Sequence, residues 1–171
     1  MSAHYHVVGI GNAIMDVIAP VTDDFLSEHN MPKGTMSLID QDRALALTQA
    51  FDKMGNVQTI AGGSAANTMV GLADMGLRAA YIGKTGRDKT GEALAKGFRD
   101  VGLDFATRPT DSGSASARSM IAVTPDGERT MNTFLGASVE FETADVRDEM
   151  IRAADTLYLE GYLFDGDAAK A

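Results

Sequence analysis

The chain contains no cysteine, which excludes a disulfide framework and any thiolate zinc site, and its three histidines, His4, His6 and His29, have no metal-ligand spacing. Basic residues are scarce. Fifteen Lys and Arg against 24 Asp and Glu leave a net charge of −9 with no basic cluster, so a nucleic-acid backbone is not an expected partner. That balance still admits an anionic small molecule held by backbone amides. No apolar run approaches membrane-spanning length, and the start, Ser2-Ala3-His4, passes within a few residues into a strand-like run, unlike a signal peptide. Internal repeats and low-complexity linkers are also missing. The expectation is a cytoplasmic protein with neither a membrane nor a nucleic-acid partner. What is present is ordinary for a globular protein: 171 residues at 44% hydrophobic content can bury a real core, so order is expected rather than disorder.

The chain is organised around Ala61-Gly62-Gly63-Ser64-Ala65-Ala66-Asn67, between the apolar run from Val57 and a segment of helical period. Adjacent glycines remove every side chain where strand becomes helix, so a ligand can approach the backbone to contact distance. Ser64 is placed to cap the helix, Ala65, Met69, Leu72 and Ala73 keep helical spacing, and Gly76 stops it. Asn67 falls in the first turn, where its amide offers a donor and an acceptor to a neutral, hydroxyl-rich ligand. A tight strand-to-helix turn with an ordinary polar first turn remains the plainer alternative.

Tyr5 to Ile10 reads as a buried strand ending in Gly9-Ile10-Gly11-Asn12, with a second apolar run, Val17-Ile18-Ala19, after Asp16. Gly9-x-Gly11 invites a dinucleotide reading, but Ile14 stands where the third glycine belongs. Asn12 and Asp16 pair an amide with a carboxylate, a combination suited to vicinal sugar hydroxyls; a solvated turn residue is the simpler account of Asp16 alone. Helices are expected over Thr22–Glu28, from Asp40 to Gly55, over Thr90–Val101 and over Thr143–Ile151, and strands over Lys33–Ile39, Val57–Ala61, Ala79–Ile82 and Thr156–Glu160. Gly83-Lys84-Thr85 has the tail of a phosphate-binding loop, but Arg78 occupies the position of its first glycine, so that loop is rejected. The alternation of strand and helix argues for an α/β protein with a parallel sheet. Ala117–Val123 and Arg129–Leu135, joined by Pro125-Asp126-Gly127-Glu128, form a hairpin of the kind that covers a site. Arg118, Arg129, Asn132 and Thr133 are its polar candidates, and Met120, Met131 and Phe134 its apolar wall. Asp165 to Ala171 begins a further helix and stops, so a truncated chain is expected.

With these motifs in place the chain resembles the N-terminal portion of the ribokinase-like (PfkB) carbohydrate kinases, and among them the bacterial adenosine-kinase-like branch. The resemblance covers nearly all of the chain. It is carried by Ala61 to Asn67 followed by Gly83-Lys84-Thr85-Gly86-Arg87-Asp88 and Gly91, with support from Gly11-Asn12-Ala13-Ile14-Met15-Asp16 and from Asp126 to Asn132. It implies a ribokinase-like parallel sheet flanked by helices, with a small β-lid drawn from about 17–19, 35–38 and 117–135. It implies that Asp16 clamps two sugar hydroxyls, that Asn12, Gly62, Gly63 and Asn67 complete the pocket, and that Arg129 reaches the transferring phosphates. Phe134 and Leu135 would meet a nucleobase. ATP and Mg²⁺ are the implied cofactors, with a monovalent cation as a further candidate; a nucleoside or sugar is the implied partner, and pairing of lid edges into a homodimer is open. The family's second signature, Asp-Thr-x-Gly-Ala-Gly-Asp, which supplies the general base, does not occur in these residues. The expectation is therefore a kinase of adenosine or a related nucleoside or sugar whose acceptor-binding half alone is inactive. A non-catalytic binding fragment and a ribokinase- or fructokinase-type sugar kinase are the alternatives.

Overall fold

In the computed structural model, which describes residues 4–105 and 107–165, the strands form two sheets. The first holds β1 (Tyr5–Ile10), β5 (Ala79–Ile82), β6 (Asp104–Phe105) and β9 (Ala154–Leu159) in the order β6-β5-β1-β9, all parallel. Its central strands are buried on both faces, which is why they read as unbroken apolar runs. Val7, Ala79 and Tyr81 face one core with Leu94 and Phe98, while Val8, Ile10, Ala80 and Ile82 face another with Phe141 and Met150.

The second sheet holds β2 (Ile14–Pro20), β3 (Met36–Leu38), β4 (Gln58–Gly62), β7 (Ala117–Val123) and β8 (Arg129–Phe134) in the order β3-β8-β7-β2-β4. The three stretches read from sequence as lid strands, 17–19, 35–38 and 117–135, all lie here. β4 lies here too, antiparallel to β2, and not in the parallel sheet to which the strand-helix alternation assigned it. Its outer residues explain the difference: Gln58, Thr59 and Ile60 are exposed, as an edge strand of a half-covered sheet allows and a central parallel strand does not.

Helices α1 (Asp23–Glu28) and α2 (Gln41–Asp52) begin just after Thr22 and Asp40, where expected, and α4 (Lys89–Asp100) begins one residue before the expected Thr90; Thr22, Asp40 and Asp88 each accept a backbone N–H three residues on. Helix α3 (Ser64–Asp74) departs from the expectation. Its N-cap is Gly63, not Ser64, and the cap makes no side-chain hydrogen bond, because the Ser64 hydroxyl is turned to Glu160. The helix expected over 143–151 is broken into a 3-10 turn, Thr143–Asp145, and a short α5, Asp148–Arg152. Asp145 accepts the Glu142 N–H and pairs with buried Lys84, and Val146 is extended, so that turn is anchored to the first sheet before the helix can propagate. Along α4, Leu94 and Phe98 are buried, while Ala93 and, just past the helix, Val101 are exposed. Lys33–Ile39 contracts to β3, because Pro32 to Thr35 form a turn with Gly34 in the left-handed region. The helix expected from Asp165 lies, past that residue, outside the described residues.

Candidate functional site

β1, β5 and β9 run in register, so the residues that follow them, Gly11-Asn12, Gly83-Lys84 and Glu160, emerge together at the carboxyl end of the sheet. That end is where an open α/β sheet offers a crevice. Two crossings between the sheets also meet there. The chain leaves β1 for β2 through Gly11, Asn12 and Ala13, and leaves β4 for α3 through Gly62 and Gly63. Gly63 has φ of +103°, and a Cβ there would stand 2.2 Å from the Asn12 carbonyl oxygen, so only glycine lets the two crossings touch. A Cβ on Gly62 would stand 2.4 Å from Asp16 Oδ2. Gly62 is therefore what leaves room for the Asp16 carboxylate, and Gly63 what lets the crossings close on each other.

Between the crossings and the second sheet lies a cleft of about 480 Å³. Asn12, Asp16, Gly63, Asn67, Arg129 and Leu135 line it; Gly62 lies behind Asp16 and does not, and Phe134 does not. Strand parity accounts for Phe134. Across the β7–β8 pair, Ser119 faces Thr133 and Ile121 faces Met131 on the cleft side, while Arg118 faces Phe134 and Met120 faces Asn132 on the other. Of the hairpin side chains singled out from sequence, Arg129, Met131 and Thr133 thus reach the cleft, whereas Arg118, Asn132, Met120 and Phe134 point away. Met120 instead packs in the core beneath the sheet with Leu47 and Phe51.

The electrostatics of the cleft are uneven. Burial pushes the Asp16 carboxyl up to about 6, and the Arg129 guanidinium pulls in the opposite direction. Arg129 is exposed and is the single cation among the described lining residues. Asn12 is buried, its N–H donates to Glu160 Oε2 at 3.2 Å, and its own Oδ1 has no hydrogen-bond partner among the described residues. Asn67 anchors its backbone N–H on the Gly63 carbonyl at 2.8 Å and leaves its side chain exposed to the cleft. An apolar wall of Leu38, Ile121, Met131, Leu135, Phe141 and Tyr162 faces these polar groups. Oriented acceptors on one side and a flat apolar surface on the other suit a small molecule with a hydroxylated part and an apolar face.

Glu160 was not among the residues that sequence singled out for the site. The signal for it was an acidic residue closing an otherwise apolar strand at a sheet's carboxyl end, but its partners Asn12 and Ser64 lie 148 and 96 residues away in the chain. The glycines of Gly9-x-Gly11 have a packing role: a Cβ on Gly9 would strike Met69, and one on Gly11 would strike Ala65 and Glu160. They let α3 press against β1. Lys84, in the segment like a phosphate-binding loop, is buried in an ion pair with Asp145 and does not line the cleft.

A model of the family described as pfkB family carbohydrate kinase matches residues 6–171. Among solved structures, an adenosine kinase from Sinorhizobium meliloti superposes with a TM-score of 0.87 at 47% identity, covering 98% of this chain and 50% of that one. A probable sugar kinase from Rhizobium etli does so with a TM-score of 0.87 at 40% identity, again over 98% and 50%. The adenosine kinase of Saccharomyces cerevisiae is 28% identical over 165 residues, 91% of this chain and 47% of that protein. The chain thus spans about half the length of the relatives it matches.

Proposed function

The chain belongs to the pfkB family of carbohydrate kinases, and from that premise we propose that it forms the acceptor-binding part of an ATP-dependent kinase acting on the 5′-hydroxyl of adenosine or the primary hydroxyl of a related nucleoside or sugar. The observation that carries the reading is the convergence of Asp16, Asn12 and Asn67 opposite an apolar wall, at the point where the two sheets meet. An ionised Asp16 accepts hydrogen bonds from two vicinal hydroxyls, and the unpartnered Asn12 Oδ1 accepts a third. The wall of Ile121, Met131, Leu135 and Phe141 takes the apolar face of a base or of a sugar ring. The second sheet acts as a lid that holds the acceptor and keeps water from it.

Arg129 is exposed at the start of β8 and has freedom to reach a phosphate chain, where a fixed positive charge favours the charge that develops in transfer. ATP supplies the phosphoryl group when bound, with Mg²⁺ on its phosphates. Among the described residues no group of three metal-binding side chains is assembled. The general base is assigned to the part of the family's length that these residues do not span. The 171 residues alone are accordingly expected to bind an acceptor without transferring phosphate. A sugar acceptor is the second reading, favoured by the likeness to the Rhizobium etli protein. ADP release by the full-length protein with adenosine, inosine, ribose and fructose tests both: turnover on nucleosides supports the first, turnover on free sugars alone supports the second, and turnover on none refutes kinase function of this class.

A further inference from the structure

Glu160 is the carboxylate of the cleft that the proposed hydroxyl clamp does not use. It is 6% exposed, and it stands at the head of α3, a helix of 11 residues whose cap, Gly63, contributes no side-chain acceptor. Its oxygens accept the Asn12 N–H at 3.2 Å, a backbone hydrogen bond from Ala65 and the Ser64 hydroxyl. Two backbone N–H groups, one in the first turn of α3 and one in the crossing that leaves β1, joined by one hydroxyl, are the kind of donor set that holds a phosphate oxyanion in other proteins. In this protein the position is filled from within, by a side chain reaching across from the end of β9.

We propose that Glu160 is a built-in anion that sets the charge class of the acceptor, admitting neutral, hydroxyl-bearing molecules and refusing those that already carry a phosphate. The inference rests on the reading of the cleft as an acceptor site and adds to it the class of molecule accepted. A phosphorylated molecule entering the cleft finds these donors, the Asn12 and Ala65 N–H groups and the Ser64 hydroxyl, already used. It also finds two carboxylates, Asp16 and Glu160, against one cation, Arg129, among the described lining residues. In a partly dry cleft that repulsion is weakly screened. A neutral acceptor meets no such opposition, and its hydroxyls have Asp16 and the buried, unpartnered Asn12 Oδ1 to donate to. Glu160 is thus a specificity-determining residue, distinct from the hydroxyl clamp.

The test uses the full-length protein, its Glu160→Ala and Glu160→Gln variants, and inorganic phosphate as the probe at constant ionic strength. Removing the carboxylate in Glu160→Ala vacates the donor set, so millimolar phosphate should raise the melting temperature of that variant by several degrees more than it raises that of the wild type. Glu160→Gln keeps the volume and removes the charge, and it carries the test should the alanine variant not fold. In it the preference for adenosine over adenosine 5′-monophosphate, measured as a ratio of dissociation constants, should narrow by about tenfold or more. Phosphate stabilising wild type and Glu160→Ala equally overturns the proposal, as does an unchanged ratio in Glu160→Gln with adenosine still bound. Failure of the wild type to bind adenosine or ribose overturns the acceptor reading itself, a different result from either of these.

Discussion

Asp16 is held in the cleft at an energetic cost that the free protein bears. Its carboxyl is raised to about 6 from an ordinary value near 4 because burial disfavours the charge, and Arg129 only partly offsets this. The sign follows directly. With the folded value above the unfolded one, the neutral acid contributes stability that is fully present below about pH 4 and is lost as the pH rises through about 6. Asp16→Asn should therefore melt higher than wild type at pH 7 and equal to it at pH 4, in scans by circular dichroism. If the acceptor hydroxyls sit on Asp16 as proposed, acceptor binding should have the opposite dependence, because hydroxyls donate to the ionised form. Affinity should fall as the pH drops below about 6, and the Asn variant, weak throughout, should show no such step. Gly63 makes a second prediction at this scale. With φ of +103° and the Asn12 carbonyl oxygen 2.2 Å from where a Cβ would lie, Gly63→Ala should cost about 2 kcal/mol or more, read as a shift in the denaturation midpoint.

Among the elements, the β7–β8 hairpin and the turn over 143–145 carry the separable tests. Leu135 lines the cleft and Phe134 does not, so Leu135→Ala should raise the acceptor KM several-fold while Phe134→Ala leaves it unchanged. The buried Lys84–Asp145 pair pins the 3-10 turn to the end of β5, and Lys84→Ala, which leaves Asp145 buried and unpaired, should cost about 3–5 kcal/mol. Lys84→Met with Asp145→Leu should restore most of it. The same elements show what a sequence discloses. β1, β5, the capped helices α1, α2 and α4 and the hairpin were legible because each rests on local physics: burial on two faces, a side chain accepting an N–H three residues on, a turn that needs Gly127 at φ of +83°. β4 was not, since five residues in a strand-like pattern do not say which sheet they join. The hairpin's inward and outward faces were mixed in the sequence reading, because alternation alone does not tell which parity points to the cleft. Asp16 and the glycine pair could be found from their motifs, but Glu160 depends on contacts between residues about 100 or more apart.

Taken whole, the molecule is a site built between two sheets, with one sheet bearing the strand ends and the other covering them. Its net charge of −9 gives a polyanion no overall electrostatic attraction. No helix among the described residues is long and apolar enough to cross a membrane. β9 lies at the rim of the parallel sheet with Leu157, Tyr158 and Leu159 at 41%, 38% and 48% exposure, and an apolar rim strand with unused hydrogen-bonding groups invites association. The 171 residues expressed alone should consequently associate, with light scattering showing species larger than 18.1 kDa, whereas a longer chain that covers β9 should not.

The account stands most directly on the affinity of the full-length protein for adenosine, measured by isothermal titration calorimetry at pH 7.5 in wild type and Asp16→Ala, with circular dichroism to show that both are folded. Loss of two hydrogen bonds to an ionised carboxylate predicts a dissociation constant raised about 100-fold or more in the variant. Adenosine bound equally well by both proteins would contradict the placement of the acceptor hydroxyls on Asp16, and with it the cleft as the acceptor site.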